Sequence, residues 1–123
     1  MLKITEDKNI SISRGDSYTL QFSAFNEETQ QNYEFQINDV VTFRILKVNG
    51  YHQEVLKEKN ITIDEPKEIV DIPIIPTDTT DITDQVNQPV KFWYEIALNE
   101  TDTIIGYDDI TGPAIFEVLP AKD

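Results

Sequence analysis

Val90-Lys91-Phe92-Trp93-Tyr94-Glu95-Ile96-Ala97-Leu98 is the stretch on which the fold turns. Its apolar members Val90, Phe92, Tyr94, Ile96 and Leu98 recur at every second residue. That is the period at which side chains of an extended chain return to the same face, whereas a helix would scatter them around its axis. The run predicts a central strand with one face in the core. Trp93 belongs to the other face, together with Lys91, Glu95 and Ala97.

Working outward, the same alternation recurs in shorter pieces. Upstream, Val41, Phe43 and Ile45 form an inward set, with Thr42, Arg44 and Leu46 opposite and Asn49-Gly50 as a hairpin signal. The return strand is expected over Glu54–Lys57, with Ile61 and Ile63 continuing it or starting another. Ile10 and Ile12 share a face before the Arg14-Gly15-Asp16 turn, and Tyr18, Leu20 and Phe22 share one after it. Those two segments are expected either to form a hairpin or to enter different sheets. Residues 26–32 are polar and predict a loop or hairpin tip, after which Tyr33, Phe35 and Ile37 alternate. Pro73 and Pro76 place the Ile69–Ile75 strand at an edge or end it early, because proline has no N–H to give to a ladder. A polar crossover follows from Thr77 to Asp84, and 79–88 is the segment expected to hold a helical turn. Ile104-Ile105 and Ala114–Leu119 supply the last strands.

Seven to eight short strands with a turn signal every ~8–12 residues predict an all-β, two-sheet antiparallel sandwich. At 123 residues the chain is expected to be a single domain, 1–123. Its apolar residues are mainly branched or aromatic, which suits a pleated, half-buried surface.

Charge narrows the function. There are 23 acidic against 10 basic residues, a formal net charge of −13. Phosphate binding needs a cationic footprint, so neither nucleic acid nor an anionic membrane surface is an expected partner. No cysteine is present, which leaves no disulfide framework and no thiolate nucleophile or ligand. The amino terminus is charged from Lys3 onward and is not expected to be a signal peptide.

The order of segments resembles the immunoglobulin-like N-terminal domain of phage baseplate upper proteins and related small prophage tail proteins. The matching pieces are Arg14-Gly15-Asp16-Ser17 before Tyr18–Phe22, then Val40-Val41-Thr42-Phe43-Arg44-Ile45, Ile69–Ile74 and the Pro76–Asp81 loop. Phe92–Leu98 and Gly112–Val118 complete them. Asn87-Gln88-Pro89-Val90 departs from the glycine-containing turn that family usually has there. With Asp123 as the last residue, a coiled-coil stalk or receptor-binding part is not expected. The resemblance implies an immunoglobulin-like sandwich that docks or spaces other tail and baseplate proteins, with a homo-oligomer among the possibilities. It implies a virion component, held in the host bacterial cytoplasm before assembly, with no catalytic residues and no cofactor.

Asp78, Asp81 and Asp84 recur at every third position and are the candidate calcium ligands. Asp and Thr side chains capping a helical turn explain the same spacing. Arg14-Gly15-Asp16 is expected to be a turn and not an adhesion motif. His52, the sole histidine, lacks a partner motif that would make it a general base. No constellation of acid, base and nucleophile stands out, so an enzyme is not expected. Trp93, Tyr51 and Tyr107 are the candidate interface residues, since aromatic side chains dominate binding hot spots. Trp93 is expected either to pack against a second layer or to anchor a partner. Stacking on a sugar is the alternative use of these aromatics, giving a carbohydrate-binding or adhesive module.

Overall fold

The computed structural model describes residues 3–4, 9–26, 29–49, 52–84, 87–105 and 113–120. The strands are β1 (Lys3–Ile4), β2 (Ile10–Ser13), β3 (Tyr18–Phe22), β4 (Phe25–Asn26), β5 (Gln31–Asn32), β6 (Val40–Asn49), β7 (His52–Thr62) and β8 (Val70–Ile74). After the single helical turn α1 (Thr77–Thr80) come β9 (Val90–Leu98), β10 (Asp102–Ile105) and β11 (Ile115–Leu119). Among the described residues they form a large sheet in the order β1-β2-β11-β9-β6-β7, with β10 also on β9, and a small sheet of β3 and β8. The β4–β5 pair stands apart. The architecture is an all-β, two-sheet sandwich.

Alternation built the core as the sequence predicted. Val41, Phe43, Ile45, Phe92, Tyr94, Ile96, Phe116 and Val118 point inward from the large sheet and are buried. Leu20, Phe22, Val70, Ile72 and Ile74 meet them from the small sheet. Phe43 is fully buried, with Tyr94 and Phe116 ring centroids 5.7 and 6.1 Å away. Burying one such side chain contributes about 1.5–3 kcal/mol. Tyr18 shares the facing of Leu20 and Phe22 yet is 48% exposed, because it lies at the end of its strand.

Four expectations are corrected or resolved. The sandwich is not purely antiparallel, since β11 runs parallel to β2, from Phe116↔Ile10 to Leu119↔Ser13. Strand β2 does not form a hairpin with β3; the chain changes sheets at Arg14-Gly15, so no hairpin fixes the direction of β2 against its neighbour. Gly15 has φ +87°, a backbone conformation that glycine adopts without a Cβ clash. Second, Tyr33–Ile37 is no strand: Phe35 bridges Lys67 alone, and Ile37 turns outward, 57% exposed. Third, of the two courses expected after Lys57 the return strand takes the first: it is one element through Thr62, with Ile63 buried just beyond it. The pairs Ile45↔Lys57 and Leu46↔Val55 leave Leu56 as an extra, bulged residue. Fourth, the helical turn begins at Thr77, two residues ahead of the expected segment.

Strand β7 is the edge strand beyond β6, and its inward positions carry Lys57 and Lys59 opposite Ile45 and Phe43. The α1 corner reaches these amines. Lys59 Nζ lies 2.6 Å from Asp78 Oδ2, and Lys57 Nζ 2.8 Å from Asp81 Oδ2. Asp78 Oδ2 also accepts the Ile75 N–H, and its side chain is only 5% exposed. The corner holds the sheet-changing turn as well: Gly15 N–H donates to Thr79 Oγ1, and Arg14 Nε donates to the Thr83 carbonyl. Breaking a buried pair strands a charge, at a cost of about 3 kcal/mol. Lys59→Met is therefore expected to lower unfolding stability in urea by about that much, and Lys57→Met, whose partner is exposed, by less than about 1 kcal/mol.

At one end of the sandwich Asp39 joins two turns. Its carboxylate accepts from the Gln36 N–H, from Asn99 Nδ2 and from the Tyr33 hydroxyl. The Gln36 amide, then the Asn99 amide, hold its pKa below the ordinary carboxylate value, against burial, which raises it. Asn99, itself at φ +53°, accepts the Val40 N–H through Oδ1. A depressed folded pKa means stability that is present above the unfolded pKa of about 3.9 and is lost as pH falls through the folded value. Urea titrations should show Asp39→Asn destabilised by about 1–2 kcal/mol at pH 7, a gap that narrows below about pH 4.

Candidate docking face

The face of the large sheet that points away from the core is ordered in cross-strand rows. Register places Val55 opposite Leu46, Leu46 opposite Trp93, and Trp93 opposite Ile115, an apolar row across β7, β6, β9 and β11. None of the four belongs to the core cluster. Leu46 is nonetheless only 5% exposed, Trp93 and Ile115 are half-buried, and Val55 is open. Direct cross-strand neighbours stand ~4.5–5.5 Å apart at Cβ, close enough for these side chains to meet as one surface.

Charged rows flank this apolar one. On one side Arg44 bridges two carboxylates, with Nε 3.0 Å from Glu58 Oε1 on β7 and Nη1 3.2 Å from Glu95 Oε1 on β9. Burial would lower the Arg44 pKa, but hydrogen bonds to Glu95 and Glu58 raise it instead. On the other side Lys91 is opposite Glu117, which accepts the Ser11 hydroxyl at 3.2 Å. Beyond the Arg44 row, Thr42 is fully buried and its hydroxyl donates to Asn60. An apolar strip between polar rows is the anatomy of a protein contact surface, with a water-excluding centre and a polar rim.

Trp93 thus belongs to the outer face and not to the core between the sheets. Tyr51 and Tyr107, the other two candidate interface residues, lie outside the described residues, as does Asp108-Asp109. His52 is exposed as the first residue of β7. Arg14-Gly15-Asp16 is a turn docked on α1, with the arginine side chain engaged at Thr83. The interior offers no orphaned polar group: among the described residues no buried side-chain nitrogen or oxygen lacks a hydrogen-bond partner.

The three candidate calcium ligands are not brought together. Asp78 is buried on Lys59 and the Ile75 amide, Asp81 is held by Lys57, and Asp84 is exposed. Among the described residues no group of three or more His, Cys, Asp or Glu side chains is placed to hold a metal ion. The spacing in the sequence reflected a one-turn helix facing two strand lysines. The row around Trp93 was missed by sequence reasoning, because alternation assigns faces but register assigns neighbours.

No protein-family model, no curated protein and no solved structure matches the chain.

With two of its acids committed to lysines, the corner should ignore calcium. Millimolar calcium is expected to leave the melting temperature within about 1 °C, whereas ligand linkage at a real site would raise it by several degrees.

Proposed function

We propose that this chain is a non-enzymatic docking module that acts through protein–protein contacts. The observation that supports this best is the apolar row Val55–Leu46–Trp93–Ile115 on the outer sheet face, set between the ion-paired Glu58–Arg44–Glu95 row and the row of Lys91 and Glu117. A tryptophan centred in such a strip is the kind of residue that dominates interface energetics. The strands beneath it are fixed by the core on their other face, so the surface is preorganised and little ordering entropy is lost on contact.

The assembly we propose is a phage or prophage tail or baseplate, following the resemblance of segments such as Val40–Ile45 and Phe92–Leu98 to immunoglobulin-like tail domains. The net charge of −13 suits a partner with basic surface and disfavours nucleic acid. In this reading the chain works as a virion component, and its edges and outer face are where a homo-oligomer or another tail protein would attach. Sugar binding through Trp93 is the competing use of the same residue.

Trp93→Ala tests the role of the face. The expected outcome is loss of incorporation into tail particles, with the melting temperature within about 2 °C of the parent. Pairwise affinity for the contacted tail protein should fall by about 2 kcal/mol or more, roughly 30-fold. Tyr94→Ala, one residue away but facing the core, should instead destabilise the fold by about 3 kcal/mol or more. Incorporation unchanged in Trp93→Ala would overturn the reading, and a glycan array positive only with Trp93 present would favour the sugar.

A further inference from the structure

At one end of the sandwich, away from the Trp93 face, the first part of β7, the α1 corner and the start of β9 enclose an open cleft of about 540 Å³. Its size falls within the ~300–1,000 Å³ of ligand sites. Leu56, Ile82, Val90 and Phe92 give it an apolar lining. Leu56, the bulged residue, Ile82 and Val90 are partly buried against the core, so the lining is anchored rather than loose. The charged members are Lys47, Glu54, Asp81 and Asp84. Asp81 is neutralised by Lys57, which leaves two carboxylates, Glu54 and Asp84, against one cation, Lys47, set opposite Glu54 by register, in a chain whose net charge is −13.

We propose that this cleft receives a lysine or arginine side chain from a basic segment of a partner protein. An aliphatic stem ending in a cation matches both halves of the site. The stem covers Leu56, Ile82, Val90 and Phe92, and the head group stays at the wet rim beside Glu54 and Asp84, as long basic side chains do when they lie along apolar surface. An anionic side chain would face the excess carboxylates and the field of the whole chain. A neutral aliphatic chain would gain the floor but leave the rim unanswered. The site is separate from the Trp93 row and does not rest on the docking role proposed for it.

Nuclear magnetic resonance titration of the intact ¹⁵N-labelled chain tests this with three probes: N-acetyl-arginine methylamide, N-acetyl-norleucine methylamide and N-acetyl-glutamate methylamide. Saturable shifts at the Leu56, Ile82 and Val90 amides are expected for the arginine probe, at millimolar Kd. The norleucine probe should bind several-fold more weakly, and the glutamate probe should leave these amides unmoved. The double variant Glu54→Gln, Asp84→Asn should keep the dispersed spectrum of the folded chain and weaken the arginine probe about 3–10-fold, since each exposed charge contact is modest. Trp93→Ala should leave the titration unchanged. Non-saturating shifts spread over the acidic surface, equal binding of norleucine, or indifference to the double variant would each overturn the assignment.

Discussion

Lys59 and Asp78 sit on opposite sides of a layer boundary. The lysine is on an inward position of the edge strand β7, opposite Phe43, and the aspartate is on the helical turn that follows β8. At 2.6 Å, with little of either side chain exposed, they close the corner where the chain leaves the small sheet and returns to the large one. Asp81 repeats the contact on Lys57, and Thr79 and Thr83 hold the other sheet change at Arg14-Gly15. Two of the four crossings between layers are thereby tied to one short segment. A sandwich whose layers are joined this way resists sliding of one sheet over the other, because the corner contacts fix both of those crossings. Charge makes the corner exacting as well, since either member of the Lys59–Asp78 pair would be costly to bury alone.

With the layers fixed, the faces of the large sheet take different roles. Inward rows of Phe43, Tyr94 and Phe116 supply the burial that holds the fold. Outward rows alternate between apolar and charged, with Trp93 beside Leu46 and Ile115, and Arg44 between Glu58 and Glu95. Strand β9 serves both faces through its alternation. Trp93 and Tyr94 are neighbours in sequence, yet substitution at one is an experiment on the surface and at the other an experiment on the core. That separation is what makes the proposed docking role open to test without unfolding the chain.

The core was legible in the sequence because period-two alternation survives in each main strand, most plainly in Val90–Leu98. The turn at Gly15 was legible too, but whether it closed a hairpin or changed sheets was not, since the same turn residues serve both. Parallel pairing of β2 with β11 escaped notice for a related reason: alternation assigns a face and carries no direction or partner. Tyr33, Phe35 and Ile37 alternate as a strand would, yet only Phe35 found a bridge, and Ile37 was left to solvent. The aspartates of the α1 corner admitted a calcium reading beside the capping one because their lysine partners are some twenty residues away. Lys57-x-Lys59 on an edge strand was the available clue, two cations at the same facing with no carboxylate beside them on that face. Trp93 was recognised, but its row was invisible until register set Leu46 and Ile115 beside it.

In the proposed function the outer face around Trp93 is where this module meets its partner. Hydroxyl-radical footprinting read by mass spectrometry tests it residue by residue, comparing the free chain with the chain in the tail particles proposed as its assembly. Trp93, Val55 and Ile115 are expected to become several-fold slower to oxidise on assembly, while Ile69 and Ile75, exposed at the two ends of β8, change little. Equal oxidation of Trp93 in both states, with protection concentrated on the small sheet instead, would contradict it.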